Sequence, residues 1–119
     1  MQKRKPTIIS QTSDEQTAEL VLGVDADIRD FEGHFTSFPL LPGVTQIDWV
    51  MYFARLTLHM DQEFAGMEVI KFQEPIFPGA TVTLALDWDK ARSKLQFKYS
   101  SDNGNSVHSS GKIKLSGDK

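Results

Sequence analysis

"VTQIDWVMYFARLTLHM", residues 44–60, has the apolar spacing of a helix that is covered on most of its circumference. Val44, Ile47, Met51, Ala54 and Leu58 recur at intervals of three and four residues along one stripe, and Trp49, Phe53, Leu56 and Met60 form a second. Thr45, Asp48, Tyr52, Arg55 and His59 are left for a narrow polar strip. A helix with so little polar surface is a buried one, and in a short chain the natural cover is a sheet wrapped around it.

The flanking segments supply that sheet. After Gly66 the apolar period drops to two, the period of a strand. "MEVIKFQ" (67–73) is followed by the turn "PIFPG". "ATVTLALDWD" (80–89) puts Val82, Leu84, Leu86 and Trp88 on one side, and "SKLQFKYS" (93–100) does the same with Leu95, Phe97 and Tyr99. "DNGN" (102–105) predicts a hairpin with a type I′ turn, because Asn-Gly accepts positive φ. "SVHSSGKIKLS" (106–116) closes the sheet. Upstream, "TAELVLGVD" (17–25) alternates as a strand and "TIIS" (7–10) is a shorter one. Between Asp27 and Gly43 no period survives, and Gly33, Pro39, Pro42 and Gly43 mark an irregular loop. The expectation is an α+β fold: one domain over residues 1–119, a curled antiparallel sheet around one long central helix, with loose ends at 1–5 and 116–119.

The chain has 119 residues, enough for one core. A net charge of −3 gives no case for nucleic acid or an anionic membrane. No apolar run approaches the ~20 residues of a membrane span. "MQKRKP" (1–6) is basic but is not followed by the apolar segment of a secretory signal, so a cytoplasmic protein is expected. The absence of cysteine removes disulfides, thiolate metal sites and cysteine nucleophiles. Three scattered histidines make no metal-ligand pattern. His59 ends the helix, where a cation suits the dipole, and His108 shares a face with Ser110, Lys112 and Lys114, which predicts a solvated position. There is no phosphate loop and no G-x-S-x-G elbow.

Three residues near the loop–helix junction could carry chemistry. His34 can accept a proton near neutral pH, and Gly33 beside it allows close backbone approach. Asp48, between Ile47 and Trp49, is expected in a half-apolar setting that would favour its protonated form. Gly43 opens the helix, where backbone N–H groups lack intrahelical partners and can polarise a carbonyl. Each has a plainer reading: a loop histidine bonded to backbone, an acid welcomed by the helix dipole, a glycine chosen for turn geometry. Together they describe proton abstraction α to a carbonyl with protonation of a leaving group.

The stretch "GHFTSFPLLPGVTQID" (33–48) resembles the hot-dog-fold 3-hydroxyacyl-(acyl-carrier-protein) dehydratases, whose pattern is G-H-F-P-x-x-P-x-x-P-G-V-x-x-x followed by Glu or Asp. "KFQEPIFPGATVTL" (71–84) resembles that family's second block, and "SGKIKL" (110–115) its last strand. "QIDW" (46–49) is most similar to the branch found in aryl-polyene biosynthetic clusters. The resemblance implies that His34 removes the C2 proton of a 3-hydroxyacyl thioester and that Asp48 protonates or holds the departing C3 hydroxyl. It implies that the Gly43 N–H bonds the thioester carbonyl. It also implies a dimer, homomeric or with another hot-dog subunit, in which His34 of one chain faces Asp48 of the other. The acyl chain would lie in an interface tunnel, with Phe35, Phe38, Val44, Tyr52 and Phe72 as candidate lining. The implied partner is acyl carrier protein, whose phosphopantetheine arm carries the substrate; no metal or organic cofactor is implied beyond it.

The sequence departs from the family at Thr36, where Pro is usual, at Phe38, usually polar, and at Tyr52, often Gln. These bear on substrate choice and rate more than on reaction type. Lys71, Lys90, Arg92, Lys94 and the "KRK" tail (3–5) are candidates for docking an acidic carrier, or are ordinary solvated strand lysines. Two other readings are a hot-dog thioesterase and a non-catalytic acyl-binding or heterodimer-partner subunit.

Overall fold

The apolar faces of the inner strands share one buried core with a single helix. A computed structural model describes residues 5–28 and 40–116. The strands are β1 (Thr7–Ser13), β2 (Thr17–Gly23), β3 (Phe64–Phe72), β4 (Thr81–Asp89), β5 (Lys94–Ser101) and β6 (Ser106–Leu115), with helix α1 (Gly43–Leu58) between β2 and β3. They form one antiparallel sheet in the order β1-β2-β4-β5-β6-β3. Leu20 and Leu22 of β2, Leu84 of β4, Leu95 and Tyr99 of β5 and Ile113 of β6 are fully buried in a single cluster with Trp49, Val50, Phe53 and Ala54 of α1. Each large apolar side chain buried this way contributes roughly 1.5–3 kcal/mol. The architecture is the α+β hot-dog arrangement that the resemblance implied.

The helix is entered through Pro42, which is extended (φ −60°, ψ 148°) and supplies no side-chain cap. Its carbonyl accepts the N–H groups of Thr45 and Gln46, both at 3.1 Å. The helix ends at Leu58, two residues before the predicted end, because His59 adopts the left-handed conformation (φ 55°) of a C-cap.

Several expectations need correction. The apolar period predicts buried stripes that include Val44 and Leu56, but both are exposed, Val44 by 80%. Thr45 and Gln46, in contrast, are buried. β1 extends to Ser13, with every residue exposed, and β3 begins at Phe64 rather than Met67. The 102–105 turn has the predicted Asn-Gly centre: the Asn105 N–H bonds the Asp102 carbonyl at 2.9 Å around Asn103 and Gly104 (φ 54° and 88°), and Asp102 (φ 56°) adds a third left-handed residue, spanned by a bond from the Gly104 N–H to the Ser101 carbonyl at 3.1 Å. His108 is buried, not solvated. A bulge explains it: Tyr99 pairs with Ser109 and Ser100 with Val107, so His108 is the extra residue and strand alternation breaks there. Its ring bonds the Ser101 hydroxyl at 2.9 Å and the Glu74 carbonyl at 3.0 Å, clamping the segment after β3 to β6.

A second bulge shapes β3. Met67 pairs with Ile113 and Ile70 with Gly111, so Glu68 and Val69 stand opposite Lys112 alone. The bulged backbone comes so close to β6 that a Cβ on Gly111 would lie 2.5 Å from the Val69 carbonyl oxygen. Gly111→Ala is therefore expected to lower unfolding stability by about 1–3 kcal/mol in a urea titration, as overpacking against fixed backbone does. An unchanged midpoint would mean that the bulge relaxes at no cost.

Candidate functional site

The site begins at the start of α1. With no side-chain cap, the Gly43 and Val44 N–H groups have no hydrogen-bond partner among the described residues. They carry the partial positive charge of a helix N-terminus. They open onto a groove of about 600 Å³ between α1 and β3, lined mainly by Leu41, Val44, Ile47, Met67, Ile70 and Phe72. The Phe72 ring lies directly on Gly43, where an added Cβ would be 2.7 Å from the ring tip. Glycine lets the aromatic side chain and the helix start approach this closely.

Asp48 is five residues further along, about 7.5 Å up the helix axis. Its side chain is 69% exposed, so this chain alone does not give it the half-apolar setting expected from its neighbours. Lys5 reaches it at 4.0 Å and also lies over the Tyr52 ring at 4.7 Å. Tyr52 is outside the groove, on the exposed strip with Asp48. Of the sequence candidates, Gly43, Val44 and Phe72 come together at the groove. His34, Phe35 and Phe38 lie outside the described residues, as does the Thr36 departure.

Behind the helix start is a polar cluster that the sequence reading missed. The Gln46 carboxamide donates to the Leu41 carbonyl (3.2 Å) and accepts from the Ser109 hydroxyl (2.7 Å). The Tyr99 hydroxyl donates to the Gln46 backbone carbonyl (2.7 Å). Leu41 is also tied on its other side, its N–H bonding the Ile76 carbonyl at 2.8 Å. The available signal was an amide inside an otherwise apolar helix. Burial, with a smaller push from the Asp48 charge, raises the Tyr99 phenol well above the ordinary tyrosine range and keeps it a donor.

The basic candidates are not one patch. Lys94 is paired with Glu68 at 2.9 Å, Arg92 with Asp89 at 3.8 Å, and Lys90 lies over Trp88 at 5.3 Å. Lys71 is remote from them: it pairs with Ser110 of β6, whereas Lys94 pairs with Lys114. Among the described residues, no group of three or more His, Asp or Glu side chains is placed to hold a metal ion, and no helix is long and apolar enough to cross a membrane.

The site is thus an α1 N-terminus whose first N–H groups have no partner among the described residues, meeting an apolar groove on a hot-dog sheet. Comparison with known proteins makes this specific: the chain belongs to the ApeI-like family, whose model, described as ApeI dehydratase, matches residues 10–112. A chain of the dehydratase heterocomplex ApeI:P from Xenorhabdus doucetiae is 41% identical, with a TM-score of 0.87 over 93% of this chain and 97% of that one. An uncharacterized protein from Erwinia carotovora subsp. atroseptica is 44% identical, with a TM-score of 0.83 over 94% and 96% of the two chains. The 3-hydroxyacyl-(acyl-carrier-protein) dehydratase FabZ of Erythrobacter litoralis is 31% identical over 84 residues, 63% of this chain and 56% of that relative. The chain spans about half the length of the curated relatives it matches.

The buried phenol has a measurable consequence. Above about pH 10 the unfolded chain releases the Tyr99 proton while the folded chain keeps it, so stability falls as pH rises through the ordinary tyrosine value. Tyr99→Phe should cost about 1 kcal/mol near neutral pH, through the lost hydrogen bond. Its deficit relative to wild type should shrink as pH rises above about 10, by at most about 1.4 kcal/mol per pH unit. Urea titrations of both proteins at neutral and alkaline pH check this; a deficit independent of pH would mean that the phenol ionises freely in the fold.

Proposed function

We propose that this chain is a 3-hydroxyacyl-(acyl-carrier-protein) dehydratase. It would eliminate water from a 3-hydroxyacyl thioester to give the trans-2-enoyl thioester, in fatty-acid or aryl-polyene biosynthesis, in the cytoplasm. The observation that carries the reading is the apolar groove ending at the Gly43 amide, which has no partner among the described residues, in a chain of the ApeI-like family. The groove takes the acyl chain near the thioester. The Gly43 N–H bonds the thioester carbonyl and stabilises the enolate-like charge that develops on it. His34 takes the C2 proton, and the freed electron pair forms the C2–C3 double bond. The C3–O bond breaks, and Asp48 delivers a proton to the hydroxyl as it leaves as water. No metal or organic cofactor enters beyond the phosphopantetheine arm of the carrier protein.

The reading includes a second hot-dog subunit. Among the described residues β3 pairs with β6 alone, and its Phe64, Met67, Val69 and Phe72 are exposed, as are Val44, Tyr52 and Leu56 of α1. Apolar side chains on an open sheet edge beside a bare helix face are what a partner subunit covers. In such a pair His34 of one subunit faces Asp48 of the other. The similarity to a chain of the ApeI:P heterocomplex favours an unlike partner as the alternative to a homodimer, and with it a second reading in which this chain supports an active partner.

The test is mass spectrometry of carrier-bound 3-hydroxyacyl thioesters incubated with the purified protein. Loss of water is expected, abolished in His34→Ala. In Asp48→Asn, kcat should fall by about 100-fold or more while KM changes little. Full turnover in His34→Ala would sink the assignment of the base. Release of free acid would point to a thioesterase. Turnover that appears only with a second hot-dog subunit would establish the heterodimer.

A further inference from the structure

We infer that Gln46 is a positioning residue of this site, holding the Gly43 amide and the end of the preceding loop in register with the sheet; the inference rests on the dehydratase reading. Gln46 is 4% exposed and Ser109 fully buried, so their 2.7 Å bond is shielded from water. The other end of the carboxamide holds the Leu41 carbonyl, one residue before the Pro42–Gly43 entry to α1. One side chain thus ties together the loop exit, the first helical turn and β6.

The ties close on the reacting end of the groove. Ser109 pairs across the sheet with Phe72 on one side and with Tyr99 on the other. The Phe72 ring lies on Gly43, and the Tyr99 hydroxyl bonds the Gln46 carbonyl. Gln46 lines the groove, but its carboxamide oxygen and nitrogen are engaged within the protein. It therefore acts through Gly43 rather than on substrate. With no side-chain cap on α1, the carboxamide is what links the helix start laterally to both loop and sheet. A small displacement of the Gly43 N–H would weaken the carbonyl bond in the transition state more than substrate binding.

The test compares Gln46→Met, Ser109→Ala and the double variant Gln46→Met/Ser109→Ala by thermal melting and by dehydration kinetics. Leu95→Val, deep in β5, is the control for lost stability alone. Gln46→Met keeps the volume but leaves the Ser109 hydroxyl unpaired, so its melting temperature should fall; the double variant removes that hydroxyl and should recover part of the loss. Turnover should not recover with it: kcat is expected to stay about 10- to 100-fold down with KM within about threefold, the signature of misplacement. Leu95→Val should melt lower yet keep wild-type kcat. If kcat returns with stability in the double variant, or stays within about twofold of wild type in a folded Gln46→Met, Gln46 is only structural. Should Gln46→Met not fold, Ser109→Ala decides, with unchanged kcat overturning the inference and a several-fold loss supporting it. A wild-type protein that never releases water fails earlier: it overturns the dehydratase reading and this inference together.

Discussion

The structure turns on one constraint: a single sheet face must be filled by a single helix. Six strands curl enough to enclose one side of α1, and the large side chains there, Trp49 and Phe53 above all, take the whole apolar face out of water. A helix has two sides, however, and this sheet covers only one. Val44, Asp48, Tyr52, Arg55 and Leu56 are consequently left on an open surface in the single chain. The same geometry makes β3 an edge strand next to that surface, with apolar side chains in solvent. The exposed groove is thus a consequence of the core: the closer the sheet wraps one side of the helix, the more completely the other is left for a ligand or a partner.

Filling the core with a helix also brings polar backbone indoors, and that has to be satisfied. Pro42 supplies no side-chain cap, so the first turn relies on partners distant in sequence. Gln46 and Ser109 are 63 residues apart, and Tyr99 is 53 from the Gln46 carbonyl it bonds. Among the described residues no buried side-chain nitrogen or oxygen lacks a partner. A fully satisfied buried cluster is costly to disturb, because removing one member strands the others. Among the described residues, the helix start is therefore tied to the sheet through Gln46, Ser109 and Tyr99.

This division explains which features the amino-acid sequence disclosed. The helix, the inner faces of β2, β4 and β5 and the α+β layering are readable because burial imposes a strict period on them. Val44 and Leu56 were misassigned because periodicity marks an apolar stripe without telling core from outer surface. His108 was misplaced because its face follows from a bulge in the β5–β6 register, which depends on two strands at once. Gly43 and Phe72 could be named in advance, but their contact could not: it joins a helix to a strand that begins after the helix has ended. Gln46 was overlooked for the same reason, since an amide in a helix announces neither burial nor its distant partners.

Asp48 shows how the open face bears on chemistry. In the single chain its side chain meets solvent and one cation rather than apolar neighbours. Ile47 and Trp49 beside it do not shield it, because they lie on other sides of the helix: Trp49 is fully buried in the core and Ile47 lines the groove. The side chain that meets Asp48 is Lys5, which has to leave the carboxylate or share it if the acid is to act on a substrate. A second subunit laid across β3 and the open face of α1 would desolvate Asp48 and bury the edge apolar residues in one event. Assembly and site geometry are coupled in such a design: the pairing that covers β3 would also enclose the groove and the strip that carries Asp48, so both would be completed in the same step.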